Sequence, residues 1–119
     1  MFKGHPEYFA LRDGKRTADG NHLCTSNPEV QKLLLAGIRR EFDNGYDWVQ
    51  LGQSDGWQRC ECDRCEAMDD FKPWDKKVDG PDWHKWLHTT NRNNPVARLH
   101  RPHNWVAEQC AISHPGNVV

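Results

Sequence analysis

The sequence predicts an α/β fold built from consecutive βα repeats, and three observations lead there. An apolar stripe from Val30 to Phe42 marks an amphipathic helix that runs through Asn44-Gly45 into a short β-prone segment, Trp48 to Gly52. A second helical stripe starts after Asn94-Pro95. Past that stripe, the turn residues His114-Pro115-Gly116-Asn117 lead into Val118-Val119, the start of a further strand. Helix, tight turn and strand in that order make the repeating unit of parallel-sheet architectures.

Length and charge narrow the function classes. At 119 residues the chain is one small domain or a piece of a larger one. Sixteen basic residues against seventeen acidic ones leave a net charge of −1, which gives no electrostatic bias toward nucleic acid. The longest apolar run, Leu33 to Ala36, is far too short to span a bilayer, and the first twenty residues lack the apolar centre of a secretory signal. Apolar residues are 36% of the chain, at or just below the globular range once glycine is added, so a disordered tail is excluded as well. Five cysteines, six tryptophans and seven histidines are the unusual features.

Taken in order, Tyr8-Phe9-Ala10-Leu11 is a short apolar run, and Asp13-Gly14 directly after it signals a hairpin. The first helix has Ser26 or Asn27 as its cap and Pro28 in the first turn, where a missing N–H costs nothing. Val30, Leu33, Leu34, Ile38 and Phe42 form its core stripe, and Asn44-Gly45 ends it with a left-handed cap. Residues 66–93 hold no sustained period. Pro73, Gly80 and Pro81 interrupt them, Trp74, Trp83 and Trp86 are scattered through, and Asp82 to His88 could form a short helix. The second helix carries Val96, Leu99, His103, Val106 and Cys110 on one stripe, with Pro102 inside it expected to kink or split it. Trp48 and Trp105 are expected in the core. Two terminal valines alone have no strand to pair with, so the chain reads as cut inside a βα repeat, the alternative being a complete domain with a frayed tail.

Cys60-Glu61-Cys62-Asp63-Arg64-Cys65 is the sharpest chemical signal. Cys62 and Cys65 have the spacing that lets two thiolates reach one tetrahedral zinc, and Cys60 adds a third. Cys24, His22, His84 and His88 are candidates for the fourth ligand. A Cys62–Cys65 disulfide is the runner-up. A thioredoxin-like redox site ranks last, because Gly56 to Arg59 separate the motif from the strand. Asp55 lies just past the strand end, where α/β barrels place active-site carboxylates, and Trp57 could stack on a sugar; the competing reading makes Ser54-Asp55-Gly56 a simple turn. His5 and Glu7 read as a local salt link, and His100, His103 and Cys110 as structural.

The segments His5 to Leu11, Asp13 to Arg16, Leu23 to Val30, Ser54 to Gly56 and Cys60 to Ala67 resemble successive motifs of one family of large bacterial proteins, the domain of unknown function 4838 group. The resemblance covers nearly the whole chain and is strongest over residues 5–67, then again around Trp86-Leu87-His88 and Asn94-Pro95. It implies a glycoside-hydrolase-like, carbohydrate-active protein on an eight-stranded α/β barrel. Residues 1–119 would then be an internal fragment of one barrel domain, about two βα repeats with a long Cys- and Trp-containing loop, truncated at both ends and inactive alone. In such a barrel Asp55, read from its own position and not carried over from the family, is one of two catalytic carboxylates, Trp57 binds substrate, and Cys60, Cys62 and Cys65 hold a structural zinc or a disulfide that pins the loop. The expected partner is carbohydrate, with neither nucleic acid nor membrane, and a polysaccharide-degrading parent is often exported. The alternative is a small Cys-rich zinc-binding interaction module.

Overall fold

Local turn chemistry fixes the N-terminal part of the chain. The structure, a computed structural model, describes residues 3–52, 59–68 and 96–119, with side chains in the last segment from Arg98 onward. Strands β1 (Leu11–Arg12) and β2 (Lys15–Arg16) pair antiparallel, Leu11 opposite Arg16 and Arg12 opposite Lys15. Asp13 and Gly14 both take positive φ, 48° and 72°, the pair of left-handed residues that a tight hairpin turn requires. Upstream, Phe9 bridges Leu23, the Ala10 N–H donates to the His22 carbonyl at 2.8 Å, and the Cys24 N–H donates to the Tyr8 carbonyl at 2.8 Å. His5 and Glu7 form the expected salt link at 3.0 Å, and the His5 ring stacks on Tyr8.

Helix α1 (Pro28–Asp43) is capped by Asn27, whose side-chain oxygen accepts from the Glu29 N–H at 2.9 Å while its amide donates to the Glu7 carbonyl. Gly45, with φ of 99°, closes the other end. A four-residue helix, α2 (Asp63–Glu66), follows Cys62. Helix α3 (Val96–Ser113) packs along α1. Their shared core is Leu35, Ile38, Phe42, Val106 and Cys110, flanked by Leu34, Val49, Leu51, Trp105 and Val119. Leu33 is not part of it: at 46% exposure it faces solvent and Leu35 takes its place. The reason is angular, since Leu33 lies five residues from Ile38 and so about 140° around the helix.

The expected strand after α1 is reduced to one parallel bridge, Trp48 with Val118. The Val49 N–H donates to the Val118 carbonyl, and the Val118 N–H donates to the Asp47 carbonyl, both at 3.0 Å. The two terminal valines therefore do have a partner, contrary to the expectation from their shortness, and Val119 reaches the α1–α3 core. Trp48 is 61% exposed rather than buried, because a lone bridge gives its side chain no sheet face to pack on. Pro102 does not split the second helix: α3 runs as one element through it.

The helix ends are clamped. The Arg39 Nε–H donates to Ser113 Oγ at 3.0 Å, and His114 bridges Ser113 Oγ at 2.8 Å and Asp43 Oδ1 at 2.9 Å. Ser113 Oγ also lies 3.3 Å from the Gln109 carbonyl, so this hydroxyl is committed to joining α1 to α3 and is not a nucleophile in waiting. Among the described residues, no helix is long and apolar enough to cross a membrane. The fold is thus mixed helix and sheet, compatible with the α/β class. Asp55, Trp57, Trp74, Trp83, Trp86 and the short helix expected over Asp82 to His88 lie outside the described residues.

The angular argument is tested by a pair of substitutions followed by urea unfolding. Ile38→Ala should cost about 2–5 kcal/mol. Leu33→Ala, one turn away on the solvent face, should stay within about 0.5 kcal/mol.

Candidate metal centre

Two chain segments with little regular structure converge on one point, and each brings cysteine. The bridge between Phe9 and Leu23 sets the backbone that carries Cys24. The Glu61 N–H donates to the Leu11 carbonyl at 2.8 Å, which lays the Cys60–Cys62 segment along β1. Cys62 sits at the N-terminal boundary of α2, and Cys65 lies within that helix. The four Sγ atoms of Cys24, Cys60, Cys62 and Cys65 all lie within 4.8 Å of one another, and every one of these residues is buried. With Ala10 and a partly buried Leu11 they form a second, separate core.

These residues fit a thiophilic metal ion. A tetrahedral centre with Zn–S bonds of about 2.3 Å has S···S edges of about 3.8 Å. Cys24 Sγ lies 3.7 Å from Cys62 Sγ and 3.8 Å from Cys65 Sγ. Those separations are far longer than a disulfide bond, and all five cysteines are free thiols. Four close cysteines could therefore bind a metal. The structure selects Cys24 as the fourth member of the set begun by Cys60, Cys62 and Cys65. His22 stays outside the quartet, and His84 and His88 lie outside the described residues. Cys110 sits in the α1–α3 core, where burial pushes its thiol up and it packs as a small hydrophobe.

A backbone amide and a hydroxyl contact the sulfurs. The Leu11 N–H donates to Cys60 Sγ at 3.2 Å. Ser26 Oγ accepts from the Cys65 thiol at 3.0 Å and lies 3.5 Å from Cys24 Sγ and 3.7 Å from Cys62 Sγ. Without a metal, hydrogen bonds from Cys60, then Cys65, drive the Cys24 thiol strongly down. Cys65 is driven strongly up, first by its contact with Cys24 and then by Cys60 and burial. The quartet thus divides, with Cys24 and Cys62 pulled toward thiolate and Cys60 and Cys65 toward thiol. A metal would displace the thiol protons, so its binding is coupled to proton release.

Two arginines balance the charge. Burial works against the Arg16 guanidinium, but its interaction with Cys24 and the charges of Cys24 and Cys60 more than compensate and hold it cationic. Arg16 also donates to the Phe9 carbonyl. Arg98, on α3, is 1% exposed, and its guanidinium donates to the Cys60 carbonyl at 2.5 Å. A divalent ion with four thiolates carries two net negative charges, which these two side chains match.

Arg98 also explains how Pro102 fits inside a helix. Pro102 has no N–H, so the carbonyl of Arg98, four residues earlier, lacks its helical donor. The Thr25 hydroxyl fills that place, donating to the Arg98 carbonyl at 3.3 Å. A single residue of α3 thus grips both arms of the centre: its carbonyl holds the Cys24 arm through Thr25, and its side chain holds the Cys60 arm. Sequence reasoning passed over Arg16, Thr25, Ser26 and Arg98. The available signal was Pro102 itself, since a proline within a helical stripe announces a carbonyl in need of a donor.

The fold and centre together define a chain of mixed helix and small antiparallel sheet with a buried four-cysteine cluster that could hold a metal ion. The chain belongs to the family described as Domain of unknown function (DUF4838), whose model matches residues 1–115. No curated protein and no solved structure matches it.

The Thr25–Arg98 joint is open to a double-mutant cycle. Thr25→Val should destabilise the chain by about 1 kcal/mol in thermal or urea unfolding. With Pro102→Ala in the background, the restored N–H satisfies the Arg98 carbonyl, and the same substitution should then cost about half as much or less. Equal costs in both backgrounds would remove the joint from the account.

Proposed function

We propose that the chain is a metal-held α/β segment of a carbohydrate-active, glycoside-hydrolase-like protein, with Cys24, Cys60, Cys62 and Cys65 holding a structural zinc ion. The convergence of four buried Sγ atoms within 4.8 Å carries the metal part of the reading. Thiolates favour zinc over hard cations such as magnesium or calcium. When bound, zinc supplies a cross-link between segments distant in sequence. Four protein thiolates leave no coordination site for substrate, so the role is structural rather than catalytic.

The carbohydrate part rests on the motif resemblance and is supported by topology. Trp48 and Val118 pair in parallel with α3 in the chain between them, the connectivity of βα repeats in a barrel. Tyr46, Trp48 and Val118 are 59%, 61% and 53% exposed, an apolar strand region of the kind that neighbouring barrel strands cover. In this reading Asp55 supplies one of the two carboxylates that glycoside hydrolysis needs, and Trp57 offers a stacking face. The second carboxylate comes from another part of the barrel, so this chain alone turns over no glycoside.

Elemental analysis of the purified chain tests the metal directly. About one zinc per chain is expected, with Cys60, Cys62 and Cys65 protected from alkylation until a chelator is added. Cys24→Ser should lower the zinc content sharply and depress Tm. Absence of metal together with a loss of two free thiols would replace the zinc with a disulfide.

The pH dependence has a definite sign. The metal-free quartet holds protons, notably on Cys65 and Cys60, that the metal-bound quartet cannot keep. Apparent zinc affinity should therefore rise with pH across the neutral range and fall on acidification, as read by chelator competition.

A further inference from the structure

The segments that build the metal centre present their other residues to a cleft of about 420 Å³ between α1, α3 and the chain leaving the Trp48 bridge. We infer that this cleft binds a small neutral saccharide, recognised by His22, Gln50, His100 and His103. This deepens the carbohydrate reading above and rests on it.

Position is the first argument. Gln50, Leu51 and Gly52 line the cleft and directly follow the parallel bridge, so the cleft opens at the C-terminal end of that strand segment. Ligands of parallel α/β folds bind at that end. The volume is within the range of small-molecule sites.

Chemistry is the second. The polar groups facing the cleft are three imidazoles, a carboxamide and the Thr25 hydroxyl, all able to donate or accept hydrogen bonds. Among the described lining residues there is no Asp, Glu, Lys or Arg, which disfavours an ionic ligand. Leu34, Leu51 and Leu99 supply apolar wall. Hydroxyls that donate and accept, set on an apolar C–H ring, match this mixture; a purely apolar ligand would strand the polar groups. A second metal is disfavoured too, because the cysteine quartet is the one set of three or more converging ligand atoms found among the described residues.

His22 packs tightly at the cleft wall. The Nδ1 of His22 is buried and has no hydrogen-bond partner. The ring lies over Gly20, where an added Cβ would come within 2.6 Å of Nε2, so glycine is what lets the imidazole sit there.

The metal centre would stiffen both walls. His22 and Thr25 flank Cys24, while Leu99 and His100 follow Arg98, the residue that grips both arms of the centre. The cleft is then set before the ligand arrives, which lowers the ordering cost of binding.

The test is an NMR titration of the metal-loaded chain with cellobiose, xylobiose and maltose. Saturable shifts centred on His22, Gln50, His100 and His103 are expected with at least one of them. Gln50→Ala and His100→Ala alter exposed positions and should each weaken binding about fivefold. Saturable shifts located elsewhere, untouched by these variants, would overturn the cleft assignment and leave the carbohydrate reading standing. If no disaccharide shifts any resonance, the inference falls together with direct glycan binding by this chain. Shifts of the three imidazoles with a second equivalent of zinc would overturn it in favour of a metal site.

Discussion

The confinement of four thiols in one small volume is the constraint on which the N-terminal half of the molecule depends. The cluster that contains them adds only Ala10 and part of Leu11 as apolar filling. Such a core buries little hydrocarbon, and a two-residue hairpin beside it has marginal stability of its own. Crowded thiols must also share protons, as the opposed behaviour of Cys24 and Cys65 shows. A structural zinc in a small site contributes about 10–16 kcal/mol of binding free energy at neutral pH, far more than this core supplies by burial. The metal reading thus accounts for how segments with so little regular structure keep a common arrangement.

The helical half works by the opposite principle. Leu35, Ile38, Phe42, Val106 and Cys110 interlock through ordinary packing, and the Arg39, Ser113, His114 and Asp43 contacts close its far end. Arg98 and Thr25 join the two halves. A buried guanidinium beside carbonyls and thiols would be expensive alone, and a metal-loaded cluster with two excess negative charges would offset that cost. The proline that costs α3 one internal hydrogen bond is what frees the carbonyl that Thr25 takes.

Features governed by neighbouring residues were legible in the sequence. Asp13-Gly14, Asn27-Pro28 and Asn44-Gly45 each encode their turn or cap in a few residues, and all three formed as expected. The three-cysteine motif was equally plain, because ligand spacing is local. Cys24 could only be offered beside three histidines, since its place in the quartet depends on the Phe9–Leu23 bridge and the Glu61–Leu11 hydrogen bond. The same limit explains Leu33 and Trp48. Periodicity names a set of apolar positions, but the partner helix decides which of them is covered, and sheet length decides whether a tryptophan has a face to lie on. The pairing of Val118 was missed for the same reason: its partner stands seventy residues earlier in the chain.

A closed four-thiolate centre also shapes where chemistry can occur. Every position on the ion would be taken by the protein, so neither water activation nor substrate polarisation is open to it. Its influence on function must then pass through geometry, and the geometry available is narrow. Cys24 lies between His22 and Thr25, and Arg98 precedes Leu99 and His100, so the residues tied to the centre are immediate chain neighbours of those lining the cleft. Loss of a metal would leave the Cys24 and Cys60 arms held only by Arg98 and their hydrogen bonds to neighbouring backbone. On the proposed saccharide reading, a metal cross-link one residue behind the cleft wall would fix the positions of that wall's polar groups before a sugar arrives.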